Sequence, residues 1–383
     1  MKTFANIEEL RQAARRRLPR VFFDYVDGGA FSETTQRANT TDFERWSLEQ
    51  RVLVDISQRN LRTTYLGGEQ ALPFMLGPTG LAGMLAHRGE VQGARAAGNA
   101  GIPFCQATPS ICPMEEVRAA TTAPWCFQLY VLRDRSMGEE LIERALRNRA
   151  DALFATVDAT LAGRRERDVH NGLFGATHIG PRLALDLLSH PRWLLDMVRG
   201  PHPVLANLPV RPGLGNNIMA QSYFFASQID PSLSWKDLSW LRERWPGRLI
   251  AKGIFSADDA RRAVDEGVDG IVVSNHGGRQ LDGALSSIRM LPEIVAAVGE
   301  KTEVLFDGGI RRGTHILKAL ALGARACLIG RAWLYGLGAD GERGVDTAID
   351  LLKTELELTM AFMGIASVEQ LRAEGASRMR YLP

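Results

Sequence analysis

A chain of 383 residues, 45% hydrophobic and 23% charged, has the composition of an ordinary soluble globular protein and room for one barrel-type α/β domain or two smaller ones. Its 46 Lys and Arg against 44 Asp and Glu leave a formal charge of +2, so no global field attracts a nucleic acid or an acidic surface. Small-molecule chemistry is the class left standing.

Residues 1–72 hold the helical pattern IEELRQAARRRL and then DYVDGGAFSETTQRANTTDFERW, an extension expected to form a lid or plug ahead of the first barrel strand. It carries acidic residues and lacks the continuous apolar stretch of a secretion signal. From residue 73 short apolar runs alternate with helical patterns: PFMLGPT (73–79), PFCQAT (103–108), WCFQLY (125–130), ALFATVD (152–158), RLIAKG (248–253), GIVVSN (270–275), EVLFDG (303–308) and ACLIGR (326–331). Eight such runs predict an α/β fold, a closed (β/α)8 TIM barrel over 73–364 within a single domain 1–383, followed by a tail at 365–383. Between them, Ser256 is placed to cap SADDARRAVDEG and GTHILKALALG ends on a glycine suited to a helix terminus.

About 75 residues separate Asp158 from the helix candidate SWKDLSWLRERW, far more than an ordinary βα loop, so an insertion at about 159–232 is expected over the carboxyl rim of the barrel. Within it LALDLLSHPRWLLDMV (183–198) is apolar enough to lie on a membrane surface, although packing on the protein itself is the simpler reading; no window is long enough to span a bilayer. Cys105, Cys112, Cys126 and Cys327 have neither CxxC nor zinc-type spacing. They read as free thiols in a reducing cytoplasm, and no metal is expected.

Polar residues interrupt the apolar runs at their carboxyl ends: Thr79, Thr108, Gln128, Tyr130, Thr156, Asp158, Lys252, Ser274, His276, Asp307 and Arg331. In a closed barrel those ends converge on one mouth, so they describe the lining of one pocket. His276 and Arg279 lie three apart in SNHGGRQLDG: a guanidinium fork can hold a carboxylate while the imidazole beside it takes a proton. Asp158 could orient that imidazole, or simply cap a helix. Arg164 and Arg165 in GRRERD are either a solvated charge run or a second cation over the mouth; Tyr25 and Tyr130 offer phenols or ordinary buried rings. DGGIRRG (307–313) and LIGRAW (328–333), after strands seven and eight, suit a phosphate grip. Lys252 is a surface lysine, a Schiff-base lysine, or a cation that stabilises a reduced flavin.

These residues, with FDYVDGGA, PTGLAG, FQLYVLRDR, TVDATLAGRRERD and IAKGI, resemble the FMN-dependent α-hydroxy acid dehydrogenases and oxidases almost end to end, nearest the quinone-linked L-lactate and (S)-mandelate dehydrogenase branches. The resemblance implies FMN as cofactor and His276 as active-site base, Asp158 as its partner, Arg279 and Arg165 as carboxylate-binding arginines, and Tyr25 and Tyr130 as substrate tyrosines. It implies flavin contacts at Thr79, Thr108, Gln128, Thr156, Lys252 and Ser274, and a ribityl and phosphate grip at Asp307, Gly309, Arg311, Gly330 and Arg331. Gly80, where many oxidases carry alanine, is similar to the dehydrogenase branch, while VDATLAG and QATPSIC depart from the common pattern near the substrate.

The implied reaction is oxidation of an L-2-hydroxy acid, L-lactate favoured, to the 2-oxo acid. His276 takes the hydroxyl proton as hydride passes to the flavin N5, or takes the α-proton instead; electrons go on to a quinone or other acceptor. Alternatives are (S)-mandelate or another 2-hydroxy acid, an oxygen-using oxidase, and more remotely an FMN-dependent isomerase, which has no evident need for two arginines. The resemblance also implies a homo-oligomer, a tetramer, in the cytoplasm or peripherally on the inner face of the membrane.

Overall fold

The computed structural model describes residues 3–172, 180–208, 215 and 217–382; the predicted insertion therefore lies partly outside the described residues. The extension opens with α1 (Ile7–Arg17), where the Asn6 side chain accepts the Glu9 N–H. Glu8 and Glu9 sit in its first turn and Arg15, Arg16 and Arg17 in its last, each sign matched to the helix dipole. α2 (Arg20–Asp27) follows and buries Val21, Phe22, Phe23 and Val26.

Every predicted apolar run contains a strand: β1 (Phe74–Leu76), β2 (Phe104–Ala107), β3 (Trp125–Tyr130), β4 (Ala152–Thr156), β5 (Arg248–Ile254), β6 (Gly270–Val273), β7 (Glu303–Asp307) and β8 (Ala326–Ile329). They pair in parallel and close, β8 meeting β1 through Cys327 opposite Phe74 and Leu328 opposite Met75. The runs are apolar throughout rather than alternating because both faces of the sheet are covered; all five residues of β4 are buried.

The insertion contributes α3 (Glu166–His170), α4 (Pro181–Leu188), α5 (Pro191–Val198) and α6 (Ile218–Gln228). Proline opens both α4 and α5, where its missing N–H has no helical partner to lose. Trp193 seats α5 inward: its indole N–H donates to the Met84 carbonyl at 2.9 Å and its ring lies 5.2 Å from that of Phe22. Leu185, Leu188, Leu195 and Val198 face outward and are largely exposed. Thus the stretch packs on the protein and also presents an apolar outer surface, and none of the described helices is long and apolar enough to cross a membrane. α7 (Gly313–Ala321) and α8 (Arg331–Phe362, interrupted at Asp340 and Gly341) complete the βα rhythm. Ser256 caps its helix through the Asp259 N–H as predicted.

The lid-or-plug expectation resolves into both. A hairpin, Thr63–Tyr65 paired with Gly68–Gln70, closes the amino end of the barrel: the Tyr65 hydroxyl donates to the Phe74 carbonyl at 2.8 Å, and both Glu303 oxygens accept the Leu66 N–H at 3.1 Å. α2 instead carries Tyr25 to the opposite end. A second pairing, Trp46–Leu48 antiparallel to Met379–Tyr381, ties the extension to the tail.

Candidate active site

The carboxyl ends of the strands open into a cavity of about 580 Å³, within the usual size of a small-molecule site. His276 lines it just beyond β6, with a backbone φ of +56° in the left-handed region. Gly277 and Gly278 continue that conformation at +65° and +72°, which is why glycines follow the histidine. Nδ1 lies 3.0 Å from Asp158 Oδ1, and Nε2 lies 3.3 Å from the Tyr130 hydroxyl. Burial alone would raise the Asp158 pKa, but the neighbouring His276 and then Lys252 hold it below the ordinary carboxylate value. An ionised Asp158 is an acceptor only, so Nδ1 presents its N–H to the carboxylate and Nε2 is the nitrogen on the side of the Tyr130 hydroxyl. Burial, with Asp158 next, pushes the Tyr130 phenol upward, so it stays a donor.

Arg279 and Arg165 both approach one ring: their guanidinium carbons stand 5.0 and 6.0 Å from the centre of Tyr25. Arg279 donates to the Tyr25 and Gly28 carbonyls at 2.7 and 2.9 Å, and Arg165 pairs with Asp168. Burial and then the like charge of Arg165 depress the Arg279 pKa, so this corner is short of negative charge.

On the other side of the cavity Gln128 donates to Thr156 Oγ1 at 2.7 Å, and Lys252 Nζ reaches Asp307 Oδ2 at 2.8 Å. Burial opposes the lysine's charge, yet Asp307 and Asp158 hold its pKa above the ordinary value. Thr79, Gly80, Gly309, Arg311, Gly330 and Arg331 also line the cavity. Thr108 and Ser274 stand one layer back: Thr108 Oγ1 donates to the Gln128 carbonyl, and Ser274 Oγ accepts from Lys252 and from the His276 N–H. Gly309 has no alternative, since a Cβ there would come within 1.7 Å of the Asn39 carbonyl oxygen.

Against known proteins, the sequence profile of the FMN-dependent dehydrogenases matches residues 14–378. The chain belongs to this family. It is 48% identical over 366 residues to an L-lactate dehydrogenase of Caulobacter sp. (strain K31), covering 95% of this chain and 96% of that one. It superposes on the monotopic membrane protein (S)-mandelate dehydrogenase with a TM-score of 0.93 at 40% identity, over 99% of this chain and all of the other. A soluble mutant of the membrane-associated (S)-mandelate dehydrogenase from Pseudomonas putida gives a TM-score of 0.85 at 38% identity, covering 99% of this chain and 100% of that one.

The cavity of this FMN-dependent dehydrogenase suits its cofactor on independent grounds. Thr79 Oγ1 and Asp307 Oδ1 are buried without a hydrogen-bond partner although both residues line the cavity, as expected of groups that meet a polar guest. A Cβ on Gly330 would meet only Thr79, at 3.9 Å, so open space lies above that turn. Arg331 is depressed to about 9 by burial and then by Arg279, a deficit that a phosphate would correct.

Two features escaped sequence reasoning. Asp168, almost wholly buried, is the partner of Arg165; the three-residue spacing in GRRERD was an available signal. Tyr223, Phe225 and Ala226 of α6 also line the cavity, and no local pattern could have brought them there from a long insertion.

Proposed function

We propose that the enzyme oxidises an L-2-hydroxy acid to its 2-oxo acid, with L-lactate the leading substrate. The observation that carries this reading is a histidine backed by an ionised carboxylate, sharing one cavity with two arginines, Arg279 and Arg165, whose like charges bear on each other. Arg279 and Arg165, both beside Tyr25, hold the substrate carboxylate. His276 Nε2 takes the hydroxyl proton, and Asp158 stabilises the imidazolium formed. The Tyr130 hydroxyl, beside Nε2, donates to the substrate oxygen and fixes its direction. FMN, when bound, would supply the acceptor for the α-hydrogen together with its two bonding electrons. Thr79, Gln128, Thr156 and Lys252 are the residues to hold its ring, Asp307 the ribityl chain, and the turns at Gly309–Arg311 and Gly330–Arg331 its phosphate, with Thr108 and Ser274 supporting from behind. Lys252 would supply a cation to the bound ring, where reduction adds negative charge.

A second reading, (S)-mandelate or another bulky acid, is favoured by the apolar wall of Leu161, Val169, Leu205, Phe225 and Ile229. Anaerobic mixing with a panel of (S)- and (R)-2-hydroxy acids, followed by loss of flavin colour, ranks the substrates. Bleaching by (R)-acids alone overturns the assigned handedness. Subsequent addition of a quinone or oxygen assigns the acceptor; a quinone is expected to reoxidise the enzyme faster, and the reverse makes it an oxidase. The exposed leucines of α4 and α5 support peripheral attachment at a cytoplasmic membrane face, where a quinone is at hand. Co-sedimentation with anionic vesicles tests this: a Leu185→Ser, Leu195→Ser variant should stay in the supernatant while turning over a soluble acceptor normally. A homo-oligomer, specifically a tetramer, is part of the same proposal and is checked by light scattering.

A further inference from the structure

The carboxyl end of α2 presents free carbonyls of the kind every helix leaves unsatisfied, and here side chains of the active site fill them. Tyr25 O accepts from Arg279, Val26 O from Arg331 at 2.9 Å, and Asp27 O from Gln36. Gly28 O, just past the helix, accepts from both Arg279 and Arg331, at 2.9 and 2.7 Å. One helix end therefore holds the substrate arginine and the neighbouring cavity arginine together, with its negative dipole turned to two cations.

What fixes that helix end is Asp27. Its side chain is not part of the cavity lining, is almost fully buried, and is shared among three elements. Arg11 of α1 grips it with Nε and with Nη2 at 2.9 Å, Arg167 of α3 donates at 2.9 Å, and the Tyr335 hydroxyl of α8 donates at 2.8 Å. Burial would raise its pKa, but Arg11 first, then Tyr335 and Arg167, hold it well below the carboxylate range, so it is ionised throughout the working range. Arg167 also pairs with Glu33, and it lies two residues from Arg165 at the start of α3. The same carboxylate thus restrains the helix end that bonds Arg279 and the short helix that begins at Arg165.

We propose that Asp27 is a positioning residue: by locking the carboxyl end of α2 to α3, it sets the separation of Arg279 and Arg165 and so the affinity for the substrate carboxylate. This rests on the reading of those two arginines as the carboxylate clamp.

The test is titration of the FMN-loaded enzyme with oxalate, a carboxylate ligand that requires no turnover, followed by the change in flavin absorption. Asp27→Asn, which keeps the size and removes the charge, is expected to weaken oxalate binding about tenfold and raise KM for the 2-hydroxy acid by a similar factor, since small misplacements of a positioning group carry such losses. kcat should change less than about threefold, and Asp27→Glu should recover part of the loss. Arg167→Gln and Tyr335→Phe each remove one of Asp27's partners and should give smaller losses in that order; they decide the matter if Asp27→Asn does not fold. A lowered melting temperature with unchanged oxalate affinity in these variants overturns the proposal, as does a loss of FMN that leaves oxalate affinity intact at saturating FMN. A wild-type enzyme that fails to bind oxalate overturns it as well. Wild-type enzyme that binds oxalate but is reduced by no 2-hydroxy acid refutes the proposed function and leaves Asp27's role standing on the titration.

Discussion

The two ends of the barrel are built from opposite materials. At the amino end Tyr65 and Leu66 of the hairpin join Met75, Cys105, Cys126, Phe154, Ile250 and Leu305 in an apolar plug, and the nearby carboxylate of Glu303 is engaged by a main-chain N–H. At the carboxyl end Lys252, His276, Arg165 and Arg279 crowd one cavity with Asp158 behind the histidine rather than lining it, and buried oxygens of Thr79 and Asp307 go without partners. The first end is arranged for stability; the second holds polar groups that a protein alone leaves unsatisfied, as a site prepared for a polar guest must. Conservative changes at the two ends should therefore be read by different instruments.

The largest expected effect is at the mouth. His276→Ala should slow anaerobic flavin reduction by about 10² to 10⁴-fold, the range of general acid–base contributions, with FMN still bound. Stopped-flow absorbance measures it; reduction at the parental rate would falsify the assignment of the base. Next is Asp158, whose pKa is lowered in the folded protein, so its stabilising contribution is complete above the ordinary aspartate value near pH 4 and is lost as the pH falls through the lower folded value. Melting curves at a series of acidic pH values should accordingly fall more steeply for the parent than for Asp158→Asn. Tyr65→Phe, at the closed end, should lower stability by about 1 kcal/mol in urea titration while leaving KM and kcat alone, because it removes one buried hydrogen bond and nothing that meets substrate. The smallest effect is set for Gly80→Ala: the new Cβ would stand 3.0 Å from Pro109 and 3.2 Å from the Tyr25 hydroxyl, tight but yielding. A change in KM of about two- to fivefold is expected from such a shift, and an unaltered KM would show that Tyr25 does not feel the contact.

The contrast also explains what could be read beforehand. His276, Asp158, Lys252 and Thr156 were legible because parallel strands of a closed barrel deliver their carboxyl ends to one rim, so adjacency follows from periodicity alone. Arg165 alone read as either a solvated charge or a second cation over the mouth, and Tyr25 as a phenol or a buried ring; the resemblance gave both their substrate roles, since neither lies at a strand end. Thr108 and Ser274 were expected to face a cofactor, but their hydroxyls are turned to a carbonyl and to Lys252, an orientation that strand position does not determine. The strand pair Trp46–Leu48 with Met379–Tyr381 joins segments distant in the chain, and the plug, though expected somewhere in 1–72, is a local hairpin; both are built of three-residue strands, too short to show a period. Asp27 was invisible for a related reason: its meaning depends on Arg11, Arg167 and Tyr335, which only the folded chain assembles.

The left-handed backbone at His276 has an energetic corollary. A residue with a Cβ is held there at a conformational disadvantage of about 1 kcal/mol, which glycine would relieve. The imidazole's contacts with Asp158 and Tyr130 hold the residue in that conformation, so glycine here would free the backbone while stranding the Asp158 carboxylate, and the exchange should bring no net gain in heat resistance.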